Sequence, residues 1–173
     1  MSKSVATKSA ISPVTDRRGR PLITELGREQ LEAQLADIRG RRLAELRPLL
    51  VEHERDERDV RAFEQLLEEA ESLDRFLAEA HTISIERRRH DGTVILGARV
   101  LVRLPDGKDI WVVPVHPREA VLDDERISAE SPLGRAILGL RTGERAEIVA
   151  PTGDWTAEIR EIDIRQITRP RKR

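Results

Sequence analysis

The sequence has no cysteine and no tyrosine, and its 173 residues include only two phenylalanines and two tryptophans. Without cysteine, disulfides and cysteine-ligated metal sites are excluded, and nothing indicates an oxidising compartment. No apolar run reaches the roughly 20 residues that a membrane-spanning helix needs, and the amino terminus lacks the apolar segment of a secretory signal. These absences predict a cytoplasmic protein that makes no contact with a membrane.

Charge is plentiful but nearly balanced. Charged residues make up 36% of the chain and apolar residues 38%, and the net charge is −1. This proportion favours an elongated, solvent-rich element beside a modest core, and the balance predicts no bulk attraction to nucleic acid. The four histidines share no ligand spacing, and no Gly-rich phosphate loop or Ser-His-Asp arrangement is recognisable. We therefore expect no cofactor of its own, no metal held by this chain alone and no enzyme activity of its own.

The first half of the chain has helical periodicity. Residues 1–20 are rich in Ser, Thr, Lys and Arg and are predicted to be a disordered tail. Thr24 is the predicted N-cap of the first helix, and Pro48 predicts a kink. Apolar residues recur at the spacing of a coiled-coil seam, with a slip in register near Leu43. They are Leu31, Leu35, Ile38 and Leu46, and then Phe63, Leu66, Ala70, Leu73, Leu77 and Ala80.

Two antiparallel helices can bury both apolar stripes within one chain, so residues 21–83 are predicted to form a coiled-coil hairpin. The periodicity fails only over residues 52–59, and the tip of the hairpin is therefore expected there. A hairpin that folds on itself predicts a monomer. The alternative is a coiled-coil adaptor or dimerisation module, in which a partner helix accommodates the slip near Leu43.

After Ile83 the pattern changes from a period of 3.6 to a period of 2. Two pairs of β-branched runs flank the turns at residues 105–107 and 151–154, which predicts two β-hairpins. Between them, "RISAES" predicts a short strand, and Ser131 followed by Pro132 predicts the start of a short helix. Residues 84–168 are thus expected to be an antiparallel sheet with one short helix, giving an α+β fold. Residues 169–173 form a basic tail.

Two stretches resemble a known family. "SPLGRAILG", within Ile127 to Pro151, is similar to a Ser-Pro-(Ile/Leu)-(Gly/Ala)-x-Ala-(Leu/Ile)-(Leu/Ile)-Gly helix, and "LITELGREQL" is similar to the same family's opening. The family is the Gre family of bacterial transcription elongation factors. The resemblance implies that residues 84–168 form an FKBP-like domain that docks on RNA polymerase at the secondary channel, in the core enzyme or the elongation complex. It nominates four partner-binding residues, namely Ser131, Pro132, Leu133 and Gly134.

The resemblance also implies a role for the tip. In the family, acidic residues at the tip help the polymerase to hold a catalytic magnesium ion, so that the polymerase cleaves backtracked RNA and the factor meets the RNA 3′ end only indirectly. Alignment on Phe63 places these carboxylates at Asp56 and Asp59, as catalytic and metal-binding candidates only jointly with the polymerase. Phe63 is then a candidate partner contact, although its heptad position equally fits the hairpin seam.

The tip also departs from the family. Arg55, Arg58 and Arg61 stand where they can pair with the carboxylates, and the returning helix is about one heptad shorter, or about 10 Å of reach. These departures favour a regulator that stimulates cleavage weakly or not at all. A short hairpin also fits a nucleoside diphosphate kinase regulator-like protein, the third alternative. An FKBP-like domain with so few aromatic residues is not expected to be a prolyl isomerase.

Overall fold

The computed structural model describes residues 13–50, 56–84, 91–151 and 153–163. Over these ranges the chain has an α+β fold with a helical hairpin region and a five-stranded sheet, which confirms the predicted class. None of the described helices is long and apolar enough to cross a bilayer. In chain order the elements are β1 (Leu22–Thr24), α1 (Glu25–Asp37), α2 (Leu43–Leu46), α3 (Glu57–Glu79), β2 (His81–Ile83), β3 (Arg99–Arg103), β4 (Asp109–Val115), β5 (Arg126–Ser128), α4 (Pro132–Ile137), β6 (Arg145–Ile148) and β7 (Trp155–Asp163).

The helical hairpin consists of α1 and α2 packed along α3. Thr24 caps α1 as predicted, because its hydroxyl accepts the backbone N–H of Gly27 at 2.9 Å. The predicted apolar stripes meet in one buried cluster that joins Leu31 and Leu35 to Leu66 and other residues of α3. Helix association is therefore driven by apolar burial within the chain. Residues 51–55, which include part of the predicted tip, lie outside the described residues.

The slip in register near Leu43 has a local cause. Residues Ile38–Arg42 form a π-helical turn, and the backbone N–H of Leu43 donates to the carbonyl of Ile38. A π turn inserts one extra residue into an α-helix, so both Ile38 and Leu43 face the core and Arg42 does not. The slip is thus absorbed within this helix. Further along, α2 ends at Leu46 and Pro48 begins a short 3-10 turn. A kink at Pro48 stays a prediction.

The base of the hairpin is a two-stranded parallel sheet of β1 and β2, which the sequence did not predict. Ahead of β1, residues 13–20 form a tight turn in which Asp16 accepts backbone N–H groups and Val14 is buried. Residues 13–20 are therefore ordered, although their composition predicts a disordered tail up to residue 20. Residues 1–12 and 164–173, including the predicted basic tail, lie outside the described residues.

The sheet domain comprises β3 to β7 and α4, with strand order β5-β4-β3-β7-β6. Both predicted hairpins, β3–β4 and β6–β7, are antiparallel. The prediction of a wholly antiparallel sheet is wrong at β5, which pairs parallel to β4. The reason is that residues 116–125 carry the chain back along β4 before β5 begins, as a parallel pair requires. α4 packs with the buried face of the sheet, where Val100, Val102 and Ile159 are fully enclosed.

Candidate functional site

At the tip, both predicted carboxylates stand at the start of α3. Asp56 is the N-cap with an extended backbone, and its Oδ1 accepts the N–H of Arg58 at 2.8 Å. Asp59 lies in the first helical turn and is half-buried, whereas Asp56 is exposed. The sequence predicts that Asp56 and Asp59 share one helical face, but Asp56 lies before the first helical turn. Carboxylates are favoured at both positions by the helix dipole and by unpaired N–H groups, so each has a structural role within the chain.

The expected pairing of the tip arginines is different in the structure. Arg61 donates to Glu57 at 3.0 Å, one helical turn away, and both side chains are exposed. Within the described part of the chain, Arg61 therefore pairs with Glu57, and the charges of Asp56 and Asp59 remain available to solvent or to a partner. Arg55 lies outside the described residues. An exposed pair of this kind contributes little to stability.

Phe63 is partly buried and packs against the apolar cluster of the hairpin. This contact agrees with the seam interpretation of its heptad position. A role for Phe63 in contacting a partner stays a prediction, because the ring already has neighbours within the chain.

Of the four candidate residues at the start of α4, two shape the turn and two lie partly or fully at the surface. Ser131 caps the helix, since its hydroxyl accepts the N–H of Gly134 at 3.1 Å and donates to the carbonyl of Ser128 at 2.6 Å. Gly134 is buried, and a Cβ there would overlap the backbone of residues 128–129. Leu133 is half-buried against the core of the sheet domain, and Pro132 is exposed. Pro132 is therefore the residue of the four with the most surface free for a partner.

A further candidate, which sequence reasoning missed, lies where the sheet domain meets the hairpin. Glu119, in the loop between β4 and β5, is fully buried. The backbone N–H of Thr24 donates to its Oε1 at 3.1 Å, and the Thr24 hydroxyl donates to its Oε2 at 2.5 Å. Burial raises the pKa of Glu119, and the hydrogen bonds from Thr24 and the charge of Arg126 oppose that rise. One carboxyl group thus binds the first turn of α1.

Gly27 makes this approach possible. A Cβ at Gly27 would overlap the Oε2 atom of Glu119, so the carboxyl group occupies the space that any other residue would fill. The spacing of Thr24 and Gly27 is visible in "LITELGREQL". Nothing local points to their partner, however, because Glu119 lies 95 residues further along the chain.

The same loop also contacts α3. The guanidinium of Arg118 donates to the hydroxyl of Ser72 at 2.8 Å and lies 4.9 Å from the centre of the Phe76 ring. The ring of His116 lies 4.8 Å from that of Phe76. Burial lowers the pKa of His116, with Glu130 opposing and Arg118 reinforcing the change. A neutral imidazole beside an aromatic ring and a cation suits this partly desolvated contact.

The described residues contain no group of three or more His, Cys, Asp or Glu side chains that could hold a metal ion. Asp56 and Asp59 are two carboxylates, and magnesium prefers about six oxygen ligands. Within the described part of the chain, the tip could thus complete a metal site but not form one.

Comparison with known proteins identifies a family and relatives. Residues 89–164 match the family described as "Transcription elongation factor, GreA/GreB, C-term". The chain is 37% identical over 87 residues to transcription elongation factor GreA of Ralstonia nicotianae, an alignment covering 50% of this chain and 55% of the relative. It is 33% identical over 91 residues to GreA of Nitrosococcus oceani, covering 52% and 58%. The matched part thus spans about half the length of these curated relatives.

Among solved structures, the chain resembles the GreA factor homolog 1 protein of Thermus thermophilus. The two are 31% identical, and the alignment covers 82% of this chain and 97% of that one. The TM-score is 0.36.

Proposed function

This chain belongs to the GreA/GreB family of transcription elongation factors, and from that premise we propose that it binds RNA polymerase at the secondary channel and modulates elongation. The observation that carries the proposal is the family match over residues 89–164, joined in this chain to a helical hairpin. In the proposal, the sheet domain is the FKBP-like docking domain. The hairpin enters the channel and directs its tip to the active site.

The docking contact is proposed to centre on the start of α4. Pro132 is exposed there, and the cap formed by Ser131 and Gly134 holds the turn in place. A rigid turn with an exposed apolar residue loses little conformational entropy when it binds. Ser131 and Gly134 would then act by shaping the turn, and Pro132 with the exposed edge of Leu133 by contact.

The protein is not proposed to be an enzyme. At most, Asp56 and Asp59 would add oxygen ligands to a magnesium ion held by the polymerase, which keeps several waters and accepts such ligands. We propose weak or absent stimulation of cleavage. One oxygen of Asp56 is already engaged in capping α3, and the sequence predicts a returning helix shorter than the family's.

Binding to bacterial core RNA polymerase tests the proposal. The wild-type protein should bind at micromolar concentration or tighter and should compete with a ligand that is known to occupy the secondary channel. Pro132→Asp should weaken binding by roughly fivefold or more, the level at which an interface residue counts as energetically important. Val149→Asp is the matched control, because Val149 is a 75% exposed residue of the same domain to which we assign no contact.

Absence of polymerase binding at micromolar concentration would end the proposal, and equal losses in the two variants would remove α4 from the docking surface. The adaptor alternative requires a stable dimer in sedimentation. Its sequence support is weakened, because the π turn at Ile38–Arg42 explains the slip near Leu43 within one chain. Capture of nucleoside diphosphate kinase in place of polymerase would favour the third alternative.

A further inference from the structure

We propose that Glu119 is the positioning residue that fixes the direction in which the helical hairpin leaves the sheet domain. The inference rests on the proposed function in one respect. A fixed direction matters only if the sheet domain docks and the tip must reach a defined place. The coupling of the two parts can be measured without any partner.

The first argument is the geometry of the contact. Both carboxyl oxygens of Glu119 are used, and both bind Thr24, one through its backbone N–H and one through its hydroxyl. Two hydrogen bonds between the same two residues fix an angle as well as a distance, since each bond weakens steeply when it bends. Thr24 is itself held by Gly27 as the cap of α1. Through these hydrogen bonds, the loop that carries Glu119 sets the orientation of the α1 axis.

The second argument is that the neighbouring residue holds the other helix. Arg118 donates to Ser72 of α3 and lies over the ring of Phe76. The loop between β4 and β5 thus contacts α1 through Glu119 and α3 through Arg118. The loop is also braced internally, because the N–H of Glu119 donates to the carbonyl of His116 at 2.8 Å. Contact with both helices restrains rotation of the hairpin as well as its tilt.

Apolar packing at the junction does not provide the same restraint. Leu22 and Ile83 at the base of the hairpin share a buried cluster with Leu96 and Ala129 of the sheet domain. The hydrophobic effect is proportional to buried area and is not directional. Such a cluster can hold the two parts together while permitting small rotations. The hydrogen bonds of Glu119 distinguish one direction from its neighbours.

The length of the hairpin makes that direction important. α3 has 23 residues and is therefore about 35 Å long, so a rotation of about 10° at its base moves its far end by about 6 Å. Metal–oxygen bonds are about 2 to 2.6 Å long. A junction that permits such a rotation would not keep a carboxylate at a metal, nor keep the tip in one place in a channel.

The test measures the direction of the hairpin in the full chain. The sequence has no cysteine, so Glu64→Cys on α3 and Glu147→Cys on β6, both exposed, give two unique sites for spin labels. Distances between the labels should be narrowly distributed in the otherwise wild-type protein. Gly27→Ala should broaden or shift this distribution, because the added Cβ displaces the Glu119 carboxyl group. Gly40→Ala is the matched control, since a Cβ at Gly40 meets nothing within 4 Å.

Further variants separate positioning from folding. Glu119→Gln keeps the shape of the side chain and should keep the narrow distribution, whereas Glu119→Ala should broaden it. The double variant Gly27→Ala/Glu119→Ala relieves the overlap, so it should fold like the wild type and still give a broad distribution. A narrow, unshifted distribution in Glu119→Ala and in the double variant would overturn the inference.

Polymerase provides the functional readout. In Glu119→Ala, the change that the protein causes in the elongation rate of polymerase should be smaller by up to about 100-fold, because a small misplacement of a contact can cost that much. The affinity for polymerase should change much less. A parallel loss of affinity and effect would contradict a positioning role. If the wild-type protein does not bind polymerase, the proposed function fails, and the label distances still decide whether Glu119 sets the direction of the hairpin.

Discussion

Replacing Glu119 by glutamine should change how the stability of the protein depends on pH. Glutamine imitates the protonated carboxyl group. Its carbonyl can accept the N–H of Thr24, and its NH₂ can donate to the Thr24 hydroxyl, which already accepts from Gly27. At acidic pH the two proteins should therefore differ in free energy of unfolding by no more than about 1 kcal/mol, the net value of one hydrogen bond.

The sign of the change follows from the raised pKa of Glu119, for which burial is the main cause. The unfolded chain loses this proton near the ordinary value of 4.5, and the folded chain loses it at higher pH. Between these two values the folded state binds more protons, so the free energy of unfolding falls as pH rises. Each pH unit of that window costs the wild type up to about 1.4 kcal/mol relative to the glutamine variant.

Urea unfolding from about pH 4 to pH 8 measures the difference. Trp111 and Trp155 report on the sheet domain by fluorescence, and far-ultraviolet circular dichroism reports on the helices. Coincident transitions are needed for a two-state free energy. The contributions of the other carboxylates to the free energy of unfolding cancel in the comparison, because both proteins contain them. One example is Asp37, whose pKa is lowered by its hydrogen bonds and charge contact with Arg41.

The expected result is that Glu119→Gln gains on the wild type as pH rises and that the gain levels off above the raised pKa. Glu147→Gln, at an exposed position on β6, is the control for the loss of one carboxylate. Parallel profiles for Glu119→Gln would refute the reasoning. So would a wild type that gains on the variant with rising pH, since Thr24 and Arg126 would then outweigh burial.

Two other predictions follow from the tip and from α4. Backtracked elongation complexes that receive the wild-type protein and magnesium should release little or no short 3′ RNA, because Asp56 caps α3. Rapid release of such RNA would contradict this prediction. If that release disappears in the Asp56→Asn/Asp59→Asn double variant, the chemistry belongs to the two carboxylates. Gly134→Ala should destabilise the sheet domain by about 1–3 kcal/mol in urea unfolding, as overpacking does, and a loss no larger than that of Gly40→Ala would show that α4 can shift to make room.

Much of the fold could be predicted because its signals are local. The N-caps at Thr24 and Ser131 are side chains that bond to N–H groups three residues away, so both helix starts are encoded by adjacent residues. The two β-hairpins follow from turn chemistry in the same way. The parallel pairing of β5 was not predictable, because it depends on the path of residues 116–125 and not on the three residues of the strand.

The π turn and the Glu119 contact show two different limits. The slip at Leu43 was visible, but a slip can be absorbed by one helix or by a partner, and only the backbone hydrogen bond from Leu43 to Ile38 decides between them. Glu119 gave no sign at all. A carboxylate in a loop is ordinarily exposed, and its burial results from three-dimensional proximity to Thr24 and Gly27, which are far away in sequence.

The residues that carry the family resemblance also have structural roles in this chain. Asp56 caps α3 and Ser131 caps α4, so either could be retained for helix formation alone. When such a side chain is deleted, a loss of function cannot be distinguished from the loss of a helix cap. The informative substitutions keep the structural role and remove the surface chemistry. Asparagine at position 56 still caps a helix but has no charge, and aspartate at position 132 suits a helix N-terminus but is no longer apolar. If these variants fold normally and still act on polymerase as the wild type does, then the resemblance at those positions reflects the fold, and the proposed contacts must be sought elsewhere on the protein.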